Sequence, residues 1–256
     1  MLGKLLKYEI PALGRKLVPL YLAWAVTAVL LGLMIGPIEG KSEFFMVISA
    51  MLYSAVATAV FVMAVIMIVQ RYNHSLLGDE GYFSHVLPVK AGTHIAGKTI
   101  SATLWVLLSV VAMALTGLII AVCSGHFTEL FQMDWKELFK ALYGTPITGV
   151  YFVEFLIAFV LSIAKSILAI YTALTIGHQA SRRVGLASLG AYIGLLIAES
   201  FIGNILIRLA PKTFLEPETA GAVALLILAA IVVTIIIGGI YFFICRYLME
   251  KKLNLA

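Results

Sequence analysis

Charge is scarce in this sequence. Only 12% of its 256 residues are Asp, Glu, Lys or Arg and 62% are hydrophobic, whereas soluble domains carry ~25% charged and ~45–50% apolar residues. So few polar side chains cannot clothe a water-soluble globule, and a mean hydropathy of +1.06 points to an integral membrane protein. Acidic residues are scarcer still, 13 against 18 basic, for a net charge of +5. That balance would suit nucleic acid, but too little polar surface remains to build such a site, so the positive charge calls for a topological explanation. The two cysteines, Cys123 and Cys245, fall at opposite faces of the bilayer on the topology below, which excludes a disulfide between them. Catalytic signatures are missing as well: there is no His-Glu-x-x-His, no Gly-x-Ser-Gly, and Leu76 stands where Gly-x-Gly-Asp would need a glycine before Gly78-Asp79. No catalytic residue is assigned. His74, His85 and His94 share one loop, but glycines interrupt any common helical face, and no metal site is assigned either.

What is abundant is apolar sequence in long runs. A spanning helix needs ~20 mostly apolar residues, and six stretches qualify: Leu17–Ile38, Phe44–Val69, Thr99–Cys123, Thr148–Gly177, Val184–Leu206 and Ala220–Cys245. No soluble domain fits between them, so residues 1–256 read as one all-α transmembrane domain. Ala23-Trp24-Ala25 faintly mimics a signal-peptide cleavage site, but the apolar run continues past it, and the segment reads as a retained first span.

An even number of spans puts both termini on one side. That side carries Lys4, Lys7, Arg15, Lys16, Arg71, Lys90, Lys98, Arg182, Arg183, Arg246, Lys251 and Lys252; the other carries Lys41, Lys136, Lys140, Arg208 and Lys212. By the positive-inside rule both termini and the 71–98 loop are cytoplasmic, and the protein is expected to be a multi-pass component of the plasma membrane. Two segments suit the membrane surface, with a helix packed on the protein itself as the alternative for each. Residues 1–16, "MLGKLLKYEIPALGRK", place Leu2, Leu5, Leu6 and Leu13 at near-helical spacing with Lys4, Lys7 and Glu9 between, as in an elbow helix bedded in headgroups. Outside, "HFTELFQMDWKELFKALY" sets Phe127, Leu130, Phe131, Leu138 and Leu142 on one stripe, with Trp135 as an interfacial anchor.

"GTHIAGKT" at residues 92–99 satisfies the phosphate-loop pattern G-x-x-x-x-G-K-[ST]. Such a loop works when a strand delivers glycine-rich amides to the phosphates ahead of a helix. Here Pro88 lies in the preceding segment, and a membrane span follows Thr99. No stretch is free to form the sheet of a nucleotide-binding domain, so the match reads as an accident. The wider loop, "RYNHSLLGDEGYFSHVLPVKAGTHIAGK", is more informative. Lys98 closes it, placed to snorkel into headgroups.

The order Glu80, Gly81, Tyr82, then Leu87, Pro88, Val89, then Gly97, Lys98 resembles the first cytoplasmic loop of type-2 ABC exporter permeases, whose pattern runs E-x-G-[TY], L-x-x-P-[VI] and G-K into the third helix. Leu87 directly precedes Pro88, where many members place two residues between. The amphipathic start and the six spans match that family's topology. The resemblance implies a coupling helix that docks in a cleft of a separate ATPase subunit. Asp79 and Glu80 would meet basic groups there, while Tyr82, Phe83, Val86, Leu87 and Pro88 offer apolar contact and Gly81 close backbone approach. It further implies that ATP and Mg sit on that partner, with no cofactor in this chain, and that a second permease copy or paralogue completes the pathway. Cargo is expected to be amphipathic or hydrophobic: peptides such as toxins or bacteriocins first, then drugs or lipids. A self-contained ion-coupled carrier, or a membrane enzyme outside this family, is the alternative.

Three charges lie inside apolar spans. Lys165 is twelve residues from Gly177 and Glu199 fifteen from Val184, depths of ~18 and ~22 Å at 1.5 Å per residue. Charges near the bilayer centre face a partner or a cavity, so the two read as a structural pair, as a substrate or gating element, or as side chains that snorkel toward the surface. Glu154 sits one to two turns inside the outer end of its span, at an interfacial position. Gly190 and Gly194 place small residues four apart in the fifth span, at a dimer seam or packed within one subunit.

Overall fold

The computed structural model describes residues 2–36, 43–77, 90–127, 137, 140, 146–180, 183–209 and 220–251. They form six long helices: α1 (Leu2–Ile35), α2 (Glu43–Tyr72), α3 (Ala91–Cys123), α4 (Pro146–Gly177), α5 (Val184–Leu209) and α6 (Ala220–Lys251), with a π-helical turn at Asn73–Leu77 continuing α2. There is no strand among the described residues. All six helices are long and apolar enough to cross a membrane, and many of their large apolar side chains are exposed, as lipid-facing surface should be. The chain is a multi-pass, all-helical membrane protein.

The helices run from 26 to 34 residues. At 1.5 Å per residue the longer ones reach ~50 Å, well beyond a ~30 Å hydrocarbon core. Hydropathy marks only the part that meets hydrocarbon, so the helices overrun the expected spans. The overrun concentrates at one end of the bundle: α1 begins at Leu2 rather than Leu17, α3 at Ala91 rather than Thr99, and α6 runs to Lys251.

The amphipathic start is therefore not a separate elbow. It is the first part of α1, which continues through Pro11 and Pro19 without a break. The reason is packing. A Cβ on Gly97 of α3 would lie 3.7 Å from Leu2 and 3.8 Å from Leu5, so these leucines rest on the protein's own helix. Further along, Gly14 makes room for Trp105, whose ring carbons would stand 2.6 Å and 2.9 Å from an added Cβ. The Trp105 indole N–H donates to the Ile10 carbonyl at 3.0 Å. Tyr21 shares a hydrogen bond with Ser109 at 2.7 Å and donates to the Trp105 carbonyl at 3.3 Å. These contacts bind α1 to α3 along its length.

Leu13, Leu17, Ala64, Met67 and Trp105 form the core of α1, α2 and α3. A second core joins the end of α2 to α3, α4 and α6. At its centre Tyr72, fully buried, stacks on Tyr171 with centroids 3.9 Å apart and planes at 9°. The Tyr72 hydroxyl shares hydrogen bonds with Thr175 at 3.0 Å and Cys245 at 2.9 Å. Because Tyr72 ends α2 and Cys245 lies near the end of α6, these two helix ends occupy the same end of the bundle, and the bond from Arg71 to Glu9 brings the start of α1 there too. Cys123, half-buried, belongs to the other end, and both cysteines are free.

α5 is the least embedded helix, with Ser188 its single buried residue among those described. It follows a turn in which Arg183 takes a left-handed φ of 59°. Gly177 lets it approach α4: an added Cβ would lie 2.6 Å from the Ser188 nitrogen and 2.7 Å from its Cα.

Candidate functional site

Two charged clusters stand out, at different depths. The first lies where α1, α2 and α3 meet, at the two roots of the 71–98 loop. Glu9 accepts a hydrogen bond from Arg71 Nε at 3.1 Å and from Lys98 Nζ at 2.8 Å. One carboxylate thus ties the chain entering the loop to the chain leaving it. Arg71 comes from the last turn of α2 and Lys98 from the early turns of α3, a helix preceded by Lys90 in extended conformation. Lys98 does not snorkel outward as expected; its side chain is only 5% exposed, because Glu9 offers a charge-assisted bond close by. Glu9 was expected among surface residues of an elbow, and α1's packing on α3 instead turns it inward. Only the register between two distant helices reveals this triad, so no local pattern pointed to it.

Gly92 to Thr99 belong to the first turns of α3. Their amides run into the helix rather than around a phosphate-sized loop, and Thr99 Oγ1 is committed to the Ile95 carbonyl at 2.9 Å. The remaining coupling residues expected from sequence, Asp79, Glu80, Gly81, Tyr82, Phe83, Val86, Leu87 and Pro88, lie outside the described residues. So does most of the second amphipathic stretch, residues 126–143, of which Glu137 and Lys140 are helical and exposed.

The second cluster lies mid-helix. Lys165 of α4 and Glu199 of α5 form an ion pair, as their matched depths allow. Tyr241 of α6 adds a donor, its hydroxyl bonding Glu199 Oε2 at 3.2 Å. Three helices thereby converge on one carboxylate, with Lys165 and Glu199 side chains 17% and 24% exposed. Gly238 lies beside the lysine stem, where an added Cβ would sit at an ordinary contact distance of 3.8 Å from Lys165. Tyr241 was not legible beforehand: a tyrosine in an apolar run carries no sign that its hydroxyl is used.

Glu154 is half-buried in the early turns of α4, and its Oε2 is enclosed with no hydrogen-bond partner among the described residues. Gly190 and Gly194 pack against nothing in the described chain; an added Cβ on either meets no atom within 4 Å. Packing within one subunit is therefore not their use among the described residues. No group of three His, Cys, Asp or Glu able to share a metal ion occurs among those residues.

Two apolar cavities flank α4 on its α2 side. One, of about 240 Å³, is lined by Val106 of α3, Phe159 and Ser162 among others, and the second, of about 420 Å³, by Val69, Leu174 and Tyr192 among others. Both share Val65 and Ile170. A third, of about 310 Å³, lies between α1 and α2 and is polar in lining, with Lys16, Arg71 and His74.

Comparison with protein-family models, curated proteins and solved structures finds no match to this chain.

Proposed function

We propose that this chain is the permease subunit of a type-2 ABC exporter, seated in the plasma membrane with both termini cytoplasmic. It would work as a homo- or heterodimer with a separate ATP-hydrolysing subunit that binds ATP and Mg. The observation that carries the reading is the residue order of the 71–98 loop, Glu80-Gly81-Tyr82, Leu87-Pro88-Val89 and Gly97-Lys98. The Glu9 triad adds a physical rationale. A loop that transmits force needs roots that move together, and Glu9 holds Arg71 and Lys98 as one unit with α1. Closure of the ATPase partners would then swing α1, α2 and α3 jointly and change access to the pathway. The apolar cavities along α4 suit amphipathic or hydrophobic cargo drawn from the bilayer, with peptides the leading class. The test is Glu80→Lys in membranes containing the partner ATPase. We expect ATP-stimulated transport to fall to background while the permease still inserts and folds. Unchanged assembly and transport would defeat the assignment.

A second reading is favoured by the mid-membrane cluster. Lys165, Glu199 and Tyr241 form the kind of half-buried ionisable group that ion-coupled carriers use. Proteoliposomes separate the two: a carrier transports on an ion gradient alone, whereas the exporter needs its ATPase and ATP.

A further inference from the structure

We infer that the cavity between α1 and α2, at the end of the bundle where α1 starts and α6 finishes, binds the phosphate headgroup of an anionic phospholipid. The inference does not rest on the exporter reading. Its volume of about 310 Å³ lies in the range of small-ligand sites, ~300–1,000 Å³. Lys16, Gln70, Arg71 and His74 contribute its polar lining, and buried Leu13 and Met67 its apolar wall.

Three observations select the ligand. The first is charge. Among the described residues the cavity lining holds the cations Lys16 and Arg71 and no carboxylate, and the one ion-pair partner of Arg71, Glu9, is shared with Lys98. Arg71 spends only its Nε on Glu9. Its two terminal NH₂ groups keep the fork that suits phosphate oxygens.

The second is level. Lys16 immediately precedes the apolar run of α1, and Arg71 closely follows the last apolar residues of α2. That boundary is where headgroups lie, and basic pockets between spanning helices on the positively charged side of a membrane protein suit anionic headgroups. The third is continuity. One turn deeper the same faces carry Leu20, half-buried on α1, and Met63, 40% exposed on α2, an apolar surface along which acyl chains can lie. A free phosphate would gain nothing from that surface, which decides for the lipid.

The test uses the full chain purified in detergent. Retention of dioleoylphosphatidylglycerol and of dioleoylphosphatidylcholine is counted by native mass spectrometry, with inorganic phosphate as a competitor. We expect phosphatidylglycerol to be retained preferentially, and Lys16→Gln to weaken it about five-fold, the usual effect of one surface cation on anionic lipid. Lys16→Arg should keep the preference. Lys90→Gln, which removes an exposed cation at the same end but outside the cavity, should leave it unchanged. Equal retention of the two lipids would overturn the inference. So would an equal loss in Lys90→Gln, which would indicate diffuse surface charge. Displacement of phosphatidylglycerol by millimolar inorganic phosphate would overturn the lipid assignment. If Lys16→Gln fails to fold, retention by Lys16→Arg against loss in His74→Gln decides the matter.

Discussion

Glu199 takes hydrogen bonds from two helices other than its own, and this sets what its neighbours can tolerate. Lys165→Met would leave a carboxylate mid-membrane with only the Tyr241 hydroxyl to satisfy it. Removing one partner of a fully buried pair costs ~3–5 kcal/mol, whereas replacing both by uncharged groups is often close to neutral. Lys165 and Glu199 keep 17% and 24% side-chain exposure, so we expect about 2–3 kcal/mol for Lys165→Met. The double variant Lys165→Met with Glu199→Gln should recover most of that loss, since Tyr241 can still donate to the amide. Thermal unfolding of the four proteins in detergent measures it. A double variant as unstable as the sum of the singles would mean the charges are not coupled. At this scale the sequence was informative where depth alone decided: counting residues from Gly177 and Val184 brought Lys165 and Glu199 to one level. It was silent where a long-range contact decided, as for Tyr241 on Glu199 and Glu9 between Arg71 and Lys98.

Among the helices, α5 is the one whose role depends on what lies beyond the described chain. Its two glycine environments predict opposite outcomes. Gly177 of α4 meets the backbone of Ser188, which cannot move without separating α4 from α5. Gly190 faces open space, together with exposed Leu189, Ile193 and Ile197. Gly177→Leu should therefore lower the stability of the isolated chain by about 1–3 kcal/mol, the usual range for overpacking. Gly190→Leu should leave that stability unchanged. If α5 forms the seam between two permeases, Gly190→Leu should instead abolish the dimer, as read by light scattering in detergent, because close helix approach in lipid depends on small residues. A dimer that survives Gly190→Leu would move the seam elsewhere. The existence of the helices was plain from their apolar runs. Their ends were not, because residues 2–16 of α1 and 91–98 of α3 are held helical by contact with each other, and hydropathy does not record contact.

At the scale of the whole molecule, the arrangement turns on which side of the membrane holds the α1 start. Tyr72 with Cys245 and Glu9 with Arg71 bring the start of α1, the end of α2 and the end of α6 to one end of the bundle. The geometry thus makes these ends share a side, and only charge orients it. By position in the sequence, twelve of the eighteen basic residues fall on the segments assigned to the side of the termini, an excess that the positive-inside rule assigns to the cytoplasm. Single cysteines test the orientation in a background with Cys123→Ala and Cys245→Ser. Lys41→Cys, between α1 and α2, should react with a membrane-impermeant maleimide on intact cells. Lys4→Cys and Lys90→Cys should react only after the membrane is opened. The Lys90 position matters most, since it lies between Pro88 and α3 and reports the side on which the 71–98 loop emerges. Labelling of Lys90→Cys on intact cells would put that loop outside, beyond reach of any cytoplasmic ATPase. It would leave the cluster of Lys165, Glu199 and Tyr241 as the chain's remaining candidate for energy coupling.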